Sequence, residues 1–105
     1  MNKVPLHAIA HSRAGDKGNR VNMSLIPYDP AHYALIGEQV TEARVLALFA
    51  HRGATRCTRY DLPRLHAYNF VVDDALEGGV NGSLNLDGHG KTSSFRLLSL
   101  EVEVP

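Results

Sequence analysis

The chain has 105 residues, of which 44% are hydrophobic, and this length and composition predict one domain over residues 1–105 with a modest core. Lys and Arg together number 11, as do Asp and Glu, so the formal net charge of zero argues against nucleic-acid binding and against polybasic membrane binding. One cysteine, no apolar run that could span a bilayer and no apolar signal-peptide core at the N-terminus together predict a cytoplasmic protein.

Two strands are predicted at the start of the chain. Residues 4–12 alternate, with Leu6, Ala8 and Ala10 on one face and His7, Ile9 and His11 on the other. Residues 21–25 alternate in the same way, and the short connection predicts an antiparallel hairpin. Because the face with Ile9 is partly apolar, we expect another chain to cover it.

Helices are predicted next. Asp29 followed by Pro30 is typical of a helix cap, and a short helix through Tyr33 is expected to stop at Gly37. Thr41 caps a second predicted helix, which ends near residue 51. A short strand is predicted over residues 57–61.

The C-terminal half predicts a helix and two strands. Apolar residues at helical spacing predict a helix over residues 65–76, although Val71 and Val72 are β-branched and leave a strand as the weaker alternative. A short strand is predicted at 83–86, a turn at 87–91 and an alternating strand at 98–104. The order is β-β-α-β-α-β-β with one short extra helix. It predicts an α+β two-layer fold, a mostly antiparallel sheet with helices on one face.

Residues 13–19 combine two glycines with charged and amide side chains. Backbone N–H groups around the glycines can form an anion-binding nest, and Arg13 and Lys17 supply positive charge. The alternative is a structured hairpin turn in which Asp16 caps nearby N–H groups. The candidate anion-binding residues are Arg13, Gly15, Asp16, Lys17, Gly18 and Asn19.

A second glycine-rich stretch covers residues 87–91. Asp87 and His89 are close enough in sequence to form an oriented general base, and Lys91 adds a cation. The plainer interpretation is a hairpin turn in which Asp87 accepts backbone N–H bonds. Asn22 and Asn69 are two further polar candidates, because each lies among apolar residues and can reach a neighbouring loop.

No metal or cofactor site is predicted. His7 and His11 lie about 13 Å apart on a strand, which is too far to share one ion, and no paired-cysteine or His-Glu-x-x-His spacing occurs. Cys57 stands near two arginines that can lower its pKa. A buried strand cysteine is the more common situation, so nucleophilic catalysis by Cys57 is the weaker hypothesis.

Several motifs occur in a fixed order over nearly the whole chain. They are residues 13–19 with Asn22, 59–63, 67–70, 75–76 with 78–79, and 87–91. Taken together they resemble the ferredoxin-fold domain at the C-terminus of AtuA-like proteins (acyclic terpene utilisation protein A). The resemblance implies a ferredoxin-like α+β fold and a role in bacterial catabolism of acids carried as acyl-CoA. It implies no catalytic residue.

Three functions follow as hypotheses. In the first, the chain is a stand-alone accessory or oligomerising subunit of a larger AtuA-like catabolic enzyme, and residues 13–19 bind an anionic ligand or shape the subunit contact. In the second, it is a small homo-oligomeric enzyme with its site between chains, with Asp16 or the pair Asp87 and His89 as acid and base. In the third, the domain is purely structural. The expected partners are a second copy, a larger AtuA-like subunit and a small anion.

Overall fold

Seven strands and three helices form in the part of the chain that the computed structural model describes, which is residues 2–17, 20–50, 53–74 and 89–105. Residues 16–17 and 89–92 are described by their backbone alone. The strands are β1 (Asn2–Pro5), β2 (Ala10–His11), β3 (Ala14–Lys17), β4 (Arg20–Pro27), β5 (Arg56–Leu62), β6 (Ala67–Asp73) and β7 (Glu101–Val104). The helices are α1 (Tyr33–Gln39), α2 (Glu42–Phe49) and α3 (His89–Leu98).

The main sheet is antiparallel, with the order β2-β4-β6-β5, and β3 pairs with β4 on the same edge as β2. Strands β4 and β5 both run antiparallel to β6, which lies between them, so β4 and β5 are parallel to each other. Helices α1 and α2 connect these two parallel strands. This split β-α-β arrangement is typical of ferredoxin-like folds, and the α+β fold class predicted from the sequence is confirmed.

The first edge of the sheet is one strand interrupted for two residues. Ala10 pairs with Pro27 and Ala14 with Met23, so β2 and β3 keep the same register along β4. The N–H of Ser24 donates to the carbonyl of Arg13 at 2.8 Å and continues the ladder across the interruption. The predicted hairpin is therefore confirmed, and strand structure extends to Lys17 within the stretch interpreted as a loop.

The core lies between the sheet and the helices. Alternate residues of β4 and β6 are fully buried on this side, including Met23 and Phe70, because side chains alternate between the two faces of a strand. Val45 and Phe49 of α2 and Leu97 of α3 complete the packing from the helical layer. A short ladder between β1 and β7 joins the two ends of the chain.

Two predicted helix caps are confirmed. The Oγ1 atom of Thr41 accepts from the N–H of Arg44 at 3.2 Å, and a carboxyl oxygen of Asp29 accepts from the N–H of Ala31 at 2.9 Å. The second of these caps opens a short 3₁₀-helix (Pro30–His32) that leads into α1. The predicted stop at Gly37 is wrong, since α1 continues through it to Gln39.

The predicted helix over residues 65–76 is wrong: β6 occupies Ala67–Asp73. Tyr68, Phe70 and Val72 are buried at the strand period of two, while Leu65 is 70% exposed. The helical spacing of the apolar residues was a coincidence, and the β-branched residues Val71 and Val72 carried the better signal. Residues beyond Asp74 in this stretch lie outside the described part of the chain.

Three other predictions are corrected. The strand over residues 4–12 is broken by a 3₁₀-helix (Leu6–Ala8), which follows Pro5 and buries Leu6. Residues 89–91 open α3 instead of forming a turn, and Leu98 ends that helix, so the last strand begins at Glu101. The strand predicted at 83–86 lies outside the described residues. No helix in the described ranges is long and apolar enough to cross a membrane.

Candidate functional site

The sheet surface that points away from the helices brings several of the predicted site residues together. We call this surface the open face. Its residues alternate with the buried ones along each strand, because the strand period is two. At its centre lie Gly15 on β3, Asn22 and Ser24 on β4, Asn69 and Val71 on β6, and Thr58 and Tyr60 on β5.

Two rows of paired residues cross the open face. In the first row, Asn22 lies between Gly15 and Val71, and Val71 in turn pairs with Thr58. In the second row, Asn69 lies between Ser24 and Tyr60. Asn22 and Asn69 are therefore diagonal neighbours on adjacent strands, ~7–8 Å apart, although they are 47 positions apart in the chain (69 − 22).

The amides of Asn22 and Asn69 make no hydrogen bond to any other residue of the described chain. Each amide can donate two hydrogen bonds and accept about two. Asn22 is exposed and Asn69 is half-buried. Two adjacent amides with free donors and acceptors on the open face form a surface that can recognise a polar partner.

The first predicted site, residues 13–19, borders the open face. The backbone of Arg13 is held by Ser24, whose Oγ accepts from the N–H of Arg13 at 3.0 Å, while the Arg13 side chain is exposed. Gly15 lies in extended strand, so it does not form the nest proposed from the sequence, which requires helical and left-handed backbone. Asp16 and Lys17 continue β3, and Gly18 and Asn19 lie outside the described residues.

An ion-pair cluster closes one end of the open face. One carboxyl oxygen of Asp73 accepts from Arg20 Nε at 2.7 Å, and the other accepts from Arg56 Nε at 3.3 Å. The hydrogen bond from Arg20, together with the charge of both arginines, holds the pKa of Asp73 below its usual value. The cluster has one more positive than negative charge, so this end of the face favours an acidic partner.

The opposite end of the open face is aromatic and apolar. The ring of His11 stacks on Tyr28 with a centroid separation of 5.3 Å, and His11 pairs with Ile26 of β4. An open groove of about 490 Å³ lies at the C-terminal end of β5 and is lined by residues 61–65. Leu62 and Leu65 contribute exposed apolar side chains to it. Apolar area at a polar surface is typical of an interaction site.

The second predicted site lies on the other side of the sheet. His89 and Lys91 belong to the first turns of α3, and α3 packs against β3, which carries Gly15. The helix that contains His89 and Lys91 is thus a neighbour of the strand that contains Gly15. Asp87 lies outside the described residues, so the proposed pair of Asp87 and His89 stays a prediction.

The family motif at residues 59–63 has a structural explanation. Arg59 Nη1 donates to the carbonyls of Gly37 at 2.6 Å and Val40 at 3.1 Å, so it satisfies the C-terminal end of α1. Arg59 Nε pairs with Asp61 at 2.8 Å, and the guanidinium lies 5.0 Å from the ring centre of Tyr68. Arg59 is fully engaged by its own chain, and this motif needs no ligand to account for it.

The surroundings of Cys57 do not favour the nucleophilic role considered from the sequence. Its side chain is buried on the helical side of β5. Burial raises the pKa of the thiol to about 12, and the carboxylates of Glu42 and Asp73 act in the same direction. The thiolate that attack requires is therefore not formed near neutral pH.

No group of three or more His, Cys, Asp or Glu side chains in the described ranges is placed to hold a metal ion. Sequence reasoning missed Ser24, Thr58 and Tyr60 on the open face. The sequence could have indicated Ser24, because it lies two residues after Asn22 and so on the same face of the strand. Thr58 and Tyr60 could be placed on the open face only once the pairing of β5 with β6 was known.

Sequence comparison matches residues 4–103 to the family described as the AtuA ferredoxin-like domain. The match covers nearly all of the chain, including both strands that carry Asn22 and Asn69. No curated protein and no solved structure matches the chain.

Proposed function

The chain belongs to the AtuA ferredoxin-like domain family, and on that premise we propose that it is an accessory or oligomerising subunit of an AtuA-like bacterial catabolic enzyme. The open face is the surface by which it docks. The enzyme it serves acts on acyl-CoA or small organic acids, and residues 13–19 help to bind the anionic group. The observation that carries the proposal is the adjacent pair of free amides on Asn22 and Asn69.

The composition of the open face supports docking. Its centre holds amides, hydroxyls and the half-exposed aromatic ring of Tyr60, and the charged side chains of Arg20, Asp73 and Arg56 stand at one end. Protein interfaces are similarly depleted of charge at their centre and enriched in aromatic residues and Arg. Since the core formed by the described residues lies on the other face of the sheet, it leaves the open face available for a partner.

The larger AtuA-like subunit is the partner that we favour. The net positive charge at the Asp73 end and the exposed Arg13 both suit a partner with an acidic rim. In a dimer of this chain with both open faces aligned in the same direction, the two basic ends would meet and repel each other. A relative rotation of the two copies would be needed to avoid this contact.

The test is a binding measurement between the chain and a larger AtuA-like protein, by size-exclusion chromatography with light scattering. Asn22→Glu and Thr58→Glu each place a charge at the centre of the open face and should abolish the complex. Ala43→Glu, on the exposed surface of α2, is the matched control and should leave it intact.

Two outcomes have clear meanings. If the wild-type chain self-associates and Asn22→Glu abolishes that self-association, the open face has the oligomerising role. If both open-face variants bind as well as the wild type while Ala43→Glu weakens binding, the helical layer is the docking surface and the proposal fails.

The anionic-ligand part of the proposal has a separate test. Isothermal titration with coenzyme A should show weaker binding for Arg13→Met and Lys17→Met than for Arg64→Met, an exposed arginine on the turn after β5. Equal affinities for all three variants would remove residues 13–19 from the binding site. That result would leave the docking role standing.

A further inference from the structure

Among the residues that the structure describes, three buried polar atoms without a hydrogen-bond partner belong to α3 and to the first edge strand on which it packs. They are Ser12 Oγ, Ser93 Oγ and Arg96 Nε. Ser93 has no exposed surface at all. Buried polar groups nearly always have a partner, because desolvation without a hydrogen bond is costly. A cluster of such atoms therefore calls for a specific explanation.

The fold brings the three atoms to one interface. Ser12 continues the common register of β2 and β3, which places it opposite Leu25 and on the helical side of the sheet with Ala10 and Ala14. Helix α3 packs against β3, which follows Ser12 in the chain, and against the 3₁₀-helix (Leu6–Ala8), which precedes β2.

Ser93 and Arg96 lie on the same side of α3. They are three residues apart, which makes them neighbours on a helix surface. Leu97, four residues after Ser93, is fully buried in the core and shows that this side faces inward. Ser12 therefore lies on the side of the strand edge that faces the helices, and Ser93 and Arg96 lie on the inward side of α3, which packs against that edge.

The cluster carries one fixed positive charge, on Arg96, and no negative charge. Arg96 carries a permanent positive charge and an unused Nε–H, and no carboxylate of the described chain forms an ion pair with it. The two hydroxyls can each donate one hydrogen bond. Such a set repels cations and suits an oxyanion, which accepts several hydrogen bonds and balances the guanidinium charge.

We propose that the contact between α3 and the β2–β3 edge binds one oxyanion, a carboxylate or phosphoryl group, through Arg96, Ser93 and Ser12. This site lies on the opposite side of the sheet from the open face. It does not depend on the docking function, and none of its three residues belongs to the motifs at residues 13–19 or 87–91.

The test uses the full chain and two probes, inorganic phosphate and acetate, at constant ionic strength. Either probe should produce saturable shifts of the amide signals of Ser93 and Ser12 in ¹H–¹⁵N spectra, together with a rise in the thermal midpoint. Response to phosphate alone assigns a phosphoryl ligand, and response to acetate alone assigns a carboxylate. If neither probe gives a saturable response, the proposal is overturned.

Two variants test the named ligands. Arg96→Met should weaken binding about tenfold or more, because a hydrogen bond to a charged group is lost, and Arg64→Met is the control for lost charge. Ser93→Ala should not lower the thermal midpoint without anion, since it removes an unpaired buried hydroxyl, yet it should reduce the response to phosphate or acetate. Unchanged affinity in Ser93→Ala or Arg96→Met would show that a different group binds the anion.

Discussion

A Cβ atom at residue 37 would clash with the hydroxyl group of Tyr68, so Gly37 and Tyr68 pack directly against each other between α1 and the sheet. That hydroxyl donates to the carbonyl of Tyr33 at 2.6 Å, and the two tyrosine rings stack with centroids 4.5 Å apart. Burial, followed by the neighbouring Tyr33, raises the pKa of Tyr68 to about 12 and keeps the hydroxyl protonated. The glycine at position 37 therefore leaves room for Tyr68 and does not mark the end of α1.

Gly37→Ala should destabilise the protein despite the higher helix propensity of alanine. Overpacking costs about 1–3 kcal/mol, whereas the propensity gain is about 1 kcal/mol, so a net loss is expected in the free energy of unfolding by denaturant. Tyr68→Phe removes the competing oxygen, and the double variant should recover part of the loss. Gly15→Ala is the control, because a Cβ at Gly15 meets no atom within 4 Å.

Arg59→Lys should lower the free energy of unfolding by about 1–3 kcal/mol. A lysine cannot reach the carbonyls of Gly37 and Val40 and pair with Asp61 at the same time, and it loses the planar contact with Tyr68. The Arg59 side chain is only 22% exposed, so solvent screens these contacts weakly. Arg64→Lys, on an exposed site, should change stability by less than about 0.5 kcal/mol. Equal effects at the two positions would contradict the capping role.

The Asp73 cluster should make stability depend on pH in the acid range. The folded-state pKa of Asp73 lies below its ordinary value of 3.8, so its stabilising contribution is complete above that value and is lost as the pH falls through the folded pKa. Asp73→Asn should therefore lower the thermal midpoint near neutral pH and have little effect once the wild-type carboxyl is protonated. Glu38→Gln, an exposed substitution on α1, should show no such convergence.

Cys57 should resist thiol reagents in the folded protein. Its burial and raised pKa of about 12 leave almost no accessible thiolate near pH 8. Reaction with a disulfide reagent should be slow in buffer and fast in denaturant, and its rate should follow unfolding. Rapid reaction of the native protein would show that β5 opens readily from the sheet.

Strong local patterns in the sequence predicted much of the fold. The alternation of Val21, Met23 and Leu25 located β4, and the caps Asp29 and Thr41 located both helical starts. These signals are reliable because each depends on residues that lie within a few positions of one another in the chain. The helix predicted at 65–76 failed because Val71 and Val72 also allowed a strand, and pairing with β4 selected the strand. No helix was predicted for residues 89–91, which begin α3 as it packs against β3.

The sequence by itself determined the family, the α+β class and the individual polar residues of interest, because each can be inferred from local composition and from the order of the motifs. Only the tertiary structure decided which of those residues meet. Pairing of β4 with β6 places Asn22 beside Asn69, and the register of β5 adds Tyr60, whereas Arg59 is turned to the helices and used to cap α1. A one-residue change of register would move the side chains of a strand to the opposite face of the sheet. The long-range contacts that set this register cannot be inferred from any short stretch of sequence.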